Sequence, residues 1–300
     1  MKDEFKTLVR ELKGWTSGMD PEDAAGLYVP PAAPPARAAA KKQIETAAPA
    51  FRGEPPTAAF APRNNQIPKP AAPPASALAQ EMPLMHDYPQ GETALSQIAR
   101  EVLVCKKCPL GSSRLKAVPG VGSPSASLMF IGEGPGFSED HKGEPFVGRA
   151  GELLNKIIAA MGFRREDVYI ANVVKCHPMI DPSDPEKRGN DRPPAPEESA
   201  ACHDYLVRQI AAIKPNFIIA LGASAAKSLM DSPKASLSSL RGRVHLLPAS
   251  NFPVGAEIKL VATYHPAALL RNPNWKKDTW EDMKLVMREM GLAVPQQPAR

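Results

Sequence analysis

The chain has 300 residues, a net charge of +5 and 34 prolines, enough length for one large or two small domains. No apolar run nears the ~18 residues that span a bilayer, and Met1-Lys2-Asp3-Glu4 does not open a signal peptide, so a cytoplasmic protein with no membrane partner is expected. Acidic and basic residues balance over positions 1–90, so the positive surplus belongs to 91–300, a mild basicity that suits a partner with a phosphate backbone.

In chain order, Phe5, Leu8, Val9, Leu12 and Trp15 recur at helical spacing and predict a short amphipathic helix over 3–15, a candidate docking segment for a protein partner. Fifteen prolines fall between residues 21 and 90, mostly among alanines, and predict an extended, disordered tether without a core. Residues 1–92 are thus read as helix plus linker, and 93–300 as the folded domain, with a monomer as the default state. From 93 onward short apolar runs alternate with helical periods. Strands are expected at 127–131, 168–174, Phe217–Leu221 and Lys259–Thr263, with helices near 149–161, 196–213, 222–230 and 277–290. This order predicts a three-layer α/β/α fold with a central, mostly parallel four-stranded sheet. In such sheets ligands bind beyond the carboxyl ends of the strands, so the residues after each strand are where chemistry is sought.

The four cysteines are Cys105 and Cys108, a C-x-x-C at the end of a predicted helix, Cys176 after the second strand, and Cys202 inside a later helix. In a reducing compartment two structural disulfides are not expected. Four thiolates suit tetrahedral zinc or a [4Fe-4S] cluster. The wide gap between Cys176 and Cys202 favours the cluster over the two close pairs usual for zinc, and four unrelated thiols are the plain alternative.

The first strand runs into Gly132-Glu133-Gly134-Pro135-Gly136, followed by Glu139-Asp140 and by Gly143-Glu144-Pro145-Phe146-Val147-Gly148. Glycines here let the backbone approach a flat ligand, but neither common phosphate-binding pattern is present. Phe146 reads equally as core or as a stacking platform. Glu133, between two glycines at a strand end, is a candidate acid or base. Asn172 lies in an apolar strand, where its carboxamide needs partners or costs ~1–3 kcal/mol. His265, followed by Pro266, ends the fourth strand on the same sheet edge as Glu133 and Asn172.

Together the motifs G-E-G-P-G at 132–136, E-D at 139–140, G-E-P-F-V-G-R-A-G at 143–151, N-V-V-K-C at 172–176 and H-P-A-A-L-L-R-N-P at 265–273 resemble family 4 uracil-DNA glycosylases, the iron-sulfur type. The resemblance spans about 95–292. It implies a [4Fe-4S] cluster on Cys105, Cys108, Cys176 and Cys202, and DNA containing uracil as partner. It further implies a uracil pocket lined by Gly132, Glu133 and Gly134, with Phe146 stacking on the base, Asn172 reading its edge and His265 acting on the leaving group. Glu133 is the candidate to position or activate water, and a loop at Leu269-Leu270-Arg271, beside His265, the candidate to fill the gap left in the duplex and grip phosphate. The stretch between Cys176 and Cys202 departs from the family by an insertion near 179–192, without the basic, histidine-bearing segment by which one related subfamily traps uracil. Two competing expectations are a non-catalytic iron-sulfur DNA-binding module tethered to a polymerase, and a hydrolase of free nucleosides or nucleotides.

Overall fold

A computed structural model of the chain describes residues 91–230, 232–252 and 257–294. The helix and tether expected over 1–90 lie outside the described residues. Helices α1 (Gly91–Val104) and α2 (Leu110–Ser113) come first, then strands β1 (Val121–Gly122) and β2 (Leu128–Gly132). Helices α3 (Phe137–Lys142) and α4 (Arg149–Ala160), strand β3 (Tyr169–Asn172) and helix α5 (Pro196–Ile213) follow. The rest is β4 (Phe217–Leu221), α6 (Ala223–Met230), α7 (Leu237–Leu240), β5 (His245–Leu246), β6 (Lys259–Thr263), α8 (Pro266–Arg271) and α9 (Trp275–Glu289).

The sheet has six strands in the order β1-β3-β2-β4-β6-β5, not the four expected. The central β3, β2, β4 and β6 are parallel; the two additions are two-residue antiparallel edges, too short to leave a hydrophobic pattern. The central strands are continuous apolar runs because both faces are covered. Alternate side chains go to opposite cores. Met129, Ile131, Ile218, Ala220, Leu260 and Ala262 pack with Leu206, Val207 and Ile210 of α5. On the other face, Leu128, Phe130, Ile219 and Val261 pack with Leu154 and Ile158 of α4 and with Met283, Val286 and Met287 of α9. These two helix layers make the expected α/β/α sandwich.

Helix α1 is outside the sandwich and docks on α5 through Ile98, Val102 and Tyr205, with Arg208 bidentate on Glu101, one arm at 2.7 Å. That docking brings the chain just after α1, with its two cysteines, to the flank of α5. Among the described residues no helix is long and apolar enough to cross a membrane.

Candidate active site and a cysteine-lined cavity

The strand register brings the first residues together: Gly132 ends β2 directly beside Asn172, the last residue of β3. The pairing continues past the strands, with the Val173 and Val174 N–H groups donating to the carbonyls of Gly132 (2.9 Å) and Glu133 (3.1 Å). Above Gly132 lie the Asn172 carboxamide and the Phe146 ring. A Cβ at 132 would overlap Asn172 Oδ1 and come within 2.6 Å of Phe146 Cζ, so glycine is what leaves the floor open.

Phe146 has φ of 52°, a left-handed conformation that costs a non-glycine residue of order 1–3 kcal/mol and needs its surroundings to hold it. Glu139 supplies part of that hold. Its carboxylate accepts from the backbone N–H groups of Val147 (3.0 Å), Gly148 (3.2 Å) and Gly136 (3.2 Å), binding both glycine loops into one wall. Arg165 donates to the Pro145 carbonyl at 2.6 Å. Asp140, fully buried, accepts from the backbone of Leu115 and Lys116 and faces the buried His177 ring, which also bonds Asp191 at 2.7 Å. The Glu139-Asp140 pair is therefore scaffold for the loop.

His265, two residues past β6 and the N-cap of α8, has its ring centroid 5.5 Å from that of Phe146. The Ala267 N–H donates to its Nδ1 at 3.1 Å. In the neutral ring that leaves Nε2 as the protonated nitrogen, a donor. Burial, then the charge of Arg271, pulls its pKa down to about 4, so the ring is neutral at physiological pH. Glu133 shows the opposite shift: burial raises its pKa, while the nearby Ser224 hydroxyl favours the ionised form. Buried Glu133 Oε1 and Asn172 Oδ1 have no hydrogen-bond partner among the described residues, and an unpaired buried acceptor is costly enough to point to a ligand.

The end of β4 supplies two residues that sequence reasoning passed over. Gly222 has φ of 94°, and a Cβ there would press on His265 at 3.1 Å; its N–H donates to the Thr263 carbonyl at 2.8 Å. Ser224, two residues on, faces Glu133. The strand-end rule points at this turn, but a serine opening a helix looks like an ordinary cap. One sequence expectation changes. The Leu269-Leu270-Arg271 segment is the end of helix α8, not a loop, and Leu269 is 1% exposed in the core, so only Leu270 and Arg271 face outward. Gly134 sits where its Cβ would meet Val174 at 2.8 Å, beside the pocket wall.

Comparison with known proteins settles the relationship. Residues 119–284 match the family model for the uracil DNA glycosylase superfamily. A type-4 uracil-DNA glycosylase of Archaeoglobus fulgidus is 42% identical over 205 residues, 67% of this chain and 96% of that relative. One from Thermotoga maritima is 42% identical over 182 residues, 60% of this chain and 85% of the relative. A type-5 enzyme of Pyrobaculum aerophilum is more distant, 27% identical over 189 residues and 74% of its length. The chain belongs to the type-4 uracil-DNA glycosylases.

In this glycosylase the four cysteines line a single cavity, shared with Arg114, Lys175 and Tyr205. The chain just after α1 delivers Cys105 and Cys108, the chain after β3 delivers Cys176, and α5 delivers Cys202. Among the described residues no three His, Cys, Asp or Glu side chains converge as on a single ion, though all four cysteines line the cavity. Arg114 donates to Cys176 Sγ at 2.9 Å and to the Leu103 carbonyl at 2.7 Å, and the Lys107 N–H donates to Cys105 Sγ at 3.5 Å. Burial pushes the Cys176 thiol up to about 11 and raises that of Cys202, so thiolates here need a cation to hold them. Lys175 is buried at 1% exposure and donates to the Asn172 carbonyl and to Gln209 Oε1, both at 2.7 Å. A sulfur-only donor set, N–H donors on the sulfurs and nearby positive charge fit a [4Fe-4S] group.

Proposed function

We infer that this chain is a DNA-repair enzyme that hydrolyses uracil from DNA, with the pocket between Phe146, Asn172 and His265 as its active site. The observation that carries the pocket is the buried, unpaired Asn172 Oδ1 over the open floor of Gly132. Uracil offers an N3–H donor beside an O4 acceptor, which a carboxamide matches with its oxygen and its NH₂. Cytosine reverses that order and leaves buried groups unpaired. A base reaches this pocket only by leaving the stack, at a cost of a few kcal/mol, which stacking on Phe146 offsets by ~1–3 kcal/mol.

Bond cleavage then proceeds from residues already in place. The C1′–N1 bond breaks as positive charge grows on the sugar and negative charge on the base. Neutral His265 donates from Nε2 to uracil O2, where the charge collects. Water adds to C1′ and gives its proton to Glu133, whose unpaired oxygen is the acceptor. The family relationship and the fit of the donors support a [4Fe-4S] cluster on Cys105, Cys108, Cys176 and Cys202. When bound, the cluster supplies a structural cross-link that joins α1, β3 and α5 and takes no part in the reaction at the base. Their outward position at the end of α8 supports Leu270 and Arg271 as duplex contacts, and the sequence of 1–92 supports a reading as a tethered helix for a protein partner, in a monomer working in the cytoplasm.

The test is product release from an oligonucleotide carrying one uracil, beside free deoxyuridine. Uracil and alkali-labile abasic sites should form from the DNA, with activity falling steeply as salt rises because phosphate contacts release counterions. Salt-insensitive cleavage of the nucleoside would establish a nucleoside hydrolase instead; DNA binding without release would establish a non-catalytic module.

A further inference from the structure

Beside the pocket, on the same sheet edge, Tyr264 and Trp275 stack with centroids 4.7 Å apart and planes within 5°. Tyr264 immediately precedes His265, and Trp275 opens α9 after the outward-facing end of α8. The Arg241 guanidinium also lies over the Tyr264 ring, 4.9 Å from its centroid. Asp282 fixes the bottom of this ladder, accepting from Arg241 at 3.0 and 3.1 Å and from the Gly242 N–H at 3.1 Å. At the outer end of the ladder, Trp275 is 37% exposed.

Positive charge gathers next to it. Lys276 follows Trp275 directly and lies near Lys156 of α4, so that burial and that neighbouring charge both lower its pKa, and exposed Arg271 completes the edge. An aromatic face held rigid from below, with cations beside it, is the arrangement by which proteins take an unpaired base from a strand whose phosphates they grip. We propose that Trp275, backed by Tyr264 and Arg241, is a stacking platform for an unpaired nucleobase flanking the uracil in single-stranded DNA. The proposal rests on the glycosylase reading for its partner and extends the DNA site past the pocket.

The test uses the full chain with two probes. Binding of a single-stranded oligodeoxythymidine without uracil is followed by tryptophan emission, and uracil release is measured on single-stranded and duplex oligonucleotides. The wild type should show emission quenched by the single strand. Trp275→Leu should lose that quenching, bind the single strand roughly tenfold more weakly, as expected for one lost base stack, and raise KM on single-stranded substrate far more than it changes kcat. Trp275→Phe, which keeps an aromatic face, should recover most of the affinity. Equal affinity of the leucine and wild-type proteins, equal behaviour of leucine and phenylalanine, or an equal loss on duplex would overturn the platform. Should the leucine variant not fold, unquenched emission in the wild type and a phenylalanine variant with tenfold weaker binding would each do so too. Absence of uracil release with quenching intact would overturn the glycosylase reading and leave the platform standing.

Discussion

Asn172 and Glu133 carry the same kind of debt: among the described residues each keeps a buried acceptor oxygen without a partner, which on the proposed reading substrate or water satisfies. Asn172→Ala removes the two hydrogen bonds proposed to select uracil, and kcat/KM measured in single turnover should fall about 100-fold or more, at roughly 1.5 kcal/mol per bond. In the proposed mechanism Glu133 acts as a carboxylate, and burial raises its pKa. Activity should thus fall on the acid side at a higher pH than an ordinary glutamate would give. Because the Ser224 hydroxyl favours the carboxylate, Ser224→Ala should move that limb to still higher pH in a pH profile of kcat/KM. A limb that stays in place would remove Glu133 from the proton transfer. His265 gives the complementary expectation. With its pKa near 4 it gains its proton only below that value, so no inflection near the usual histidine range should appear that His265→Gln abolishes. The residue types of this pocket were legible in the sequence, because an amide in an apolar strand and a histidine at a strand end both ask for a reason. The state of His265 was not, since it depends on burial and on the Ala267 N–H.

At the scale of the elements, β4 and β6 could be read to the residue, as parallel strands covered on both faces are unbroken apolar runs. The edge strands β1 and β5 have no such run, and the six-residue α3 has too few turns to show a period. The insertion near 179–192 also gains an account. Met179 bridges Asp191, Asn190 accepts from the Asp181 N–H and donates to the carbonyls of Asp181 and Asp184, and Glu186 bonds His141 of α3 at 3.0 Å. It is thus a closed loop laid against the helix that follows the Gly132–Gly136 turn. Helix α8 allows a direct separation of roles. Leu269→Ala empties a core position and should lower stability by about 2–5 kcal/mol in denaturant melts. Leu270→Ala should leave the melt nearly unchanged and weaken activity on duplex DNA. Gly132→Ala belongs here too: the added methyl displaces Phe146 and the Asn172 amide together, so uracil release should collapse while circular dichroism stays native.

Across the whole molecule, the cysteine cavity and the base pocket are linked through Lys175, which lines the former and holds the carbonyl of Asn172 in the latter. The spacing of the cysteines left zinc and cluster open, and neither Lys175 nor Arg114 stood out in sequence, because their roles depend on contacts between residues far apart in the chain. Purified under anaerobic conditions, the protein should contain about four iron and four acid-labile sulfide per chain, and Cys176→Ser should lose them together with thermal stability. Retention of wild-type stability without iron would show that α1, β3 and α5 need no cross-link.

The central claim is that this pocket reads and releases uracil, and single-turnover uracil release from one oligonucleotide by the wild type, Asn172→Ala and His265→Ala tests it most directly. The wild type should release the base and both variants should lose at least about 100-fold of the rate while remaining folded and iron-bound. Release by either variant at the wild-type rate would contradict the assignment of the site, and a wild type that binds the DNA without freeing uracil would contradict the function itself.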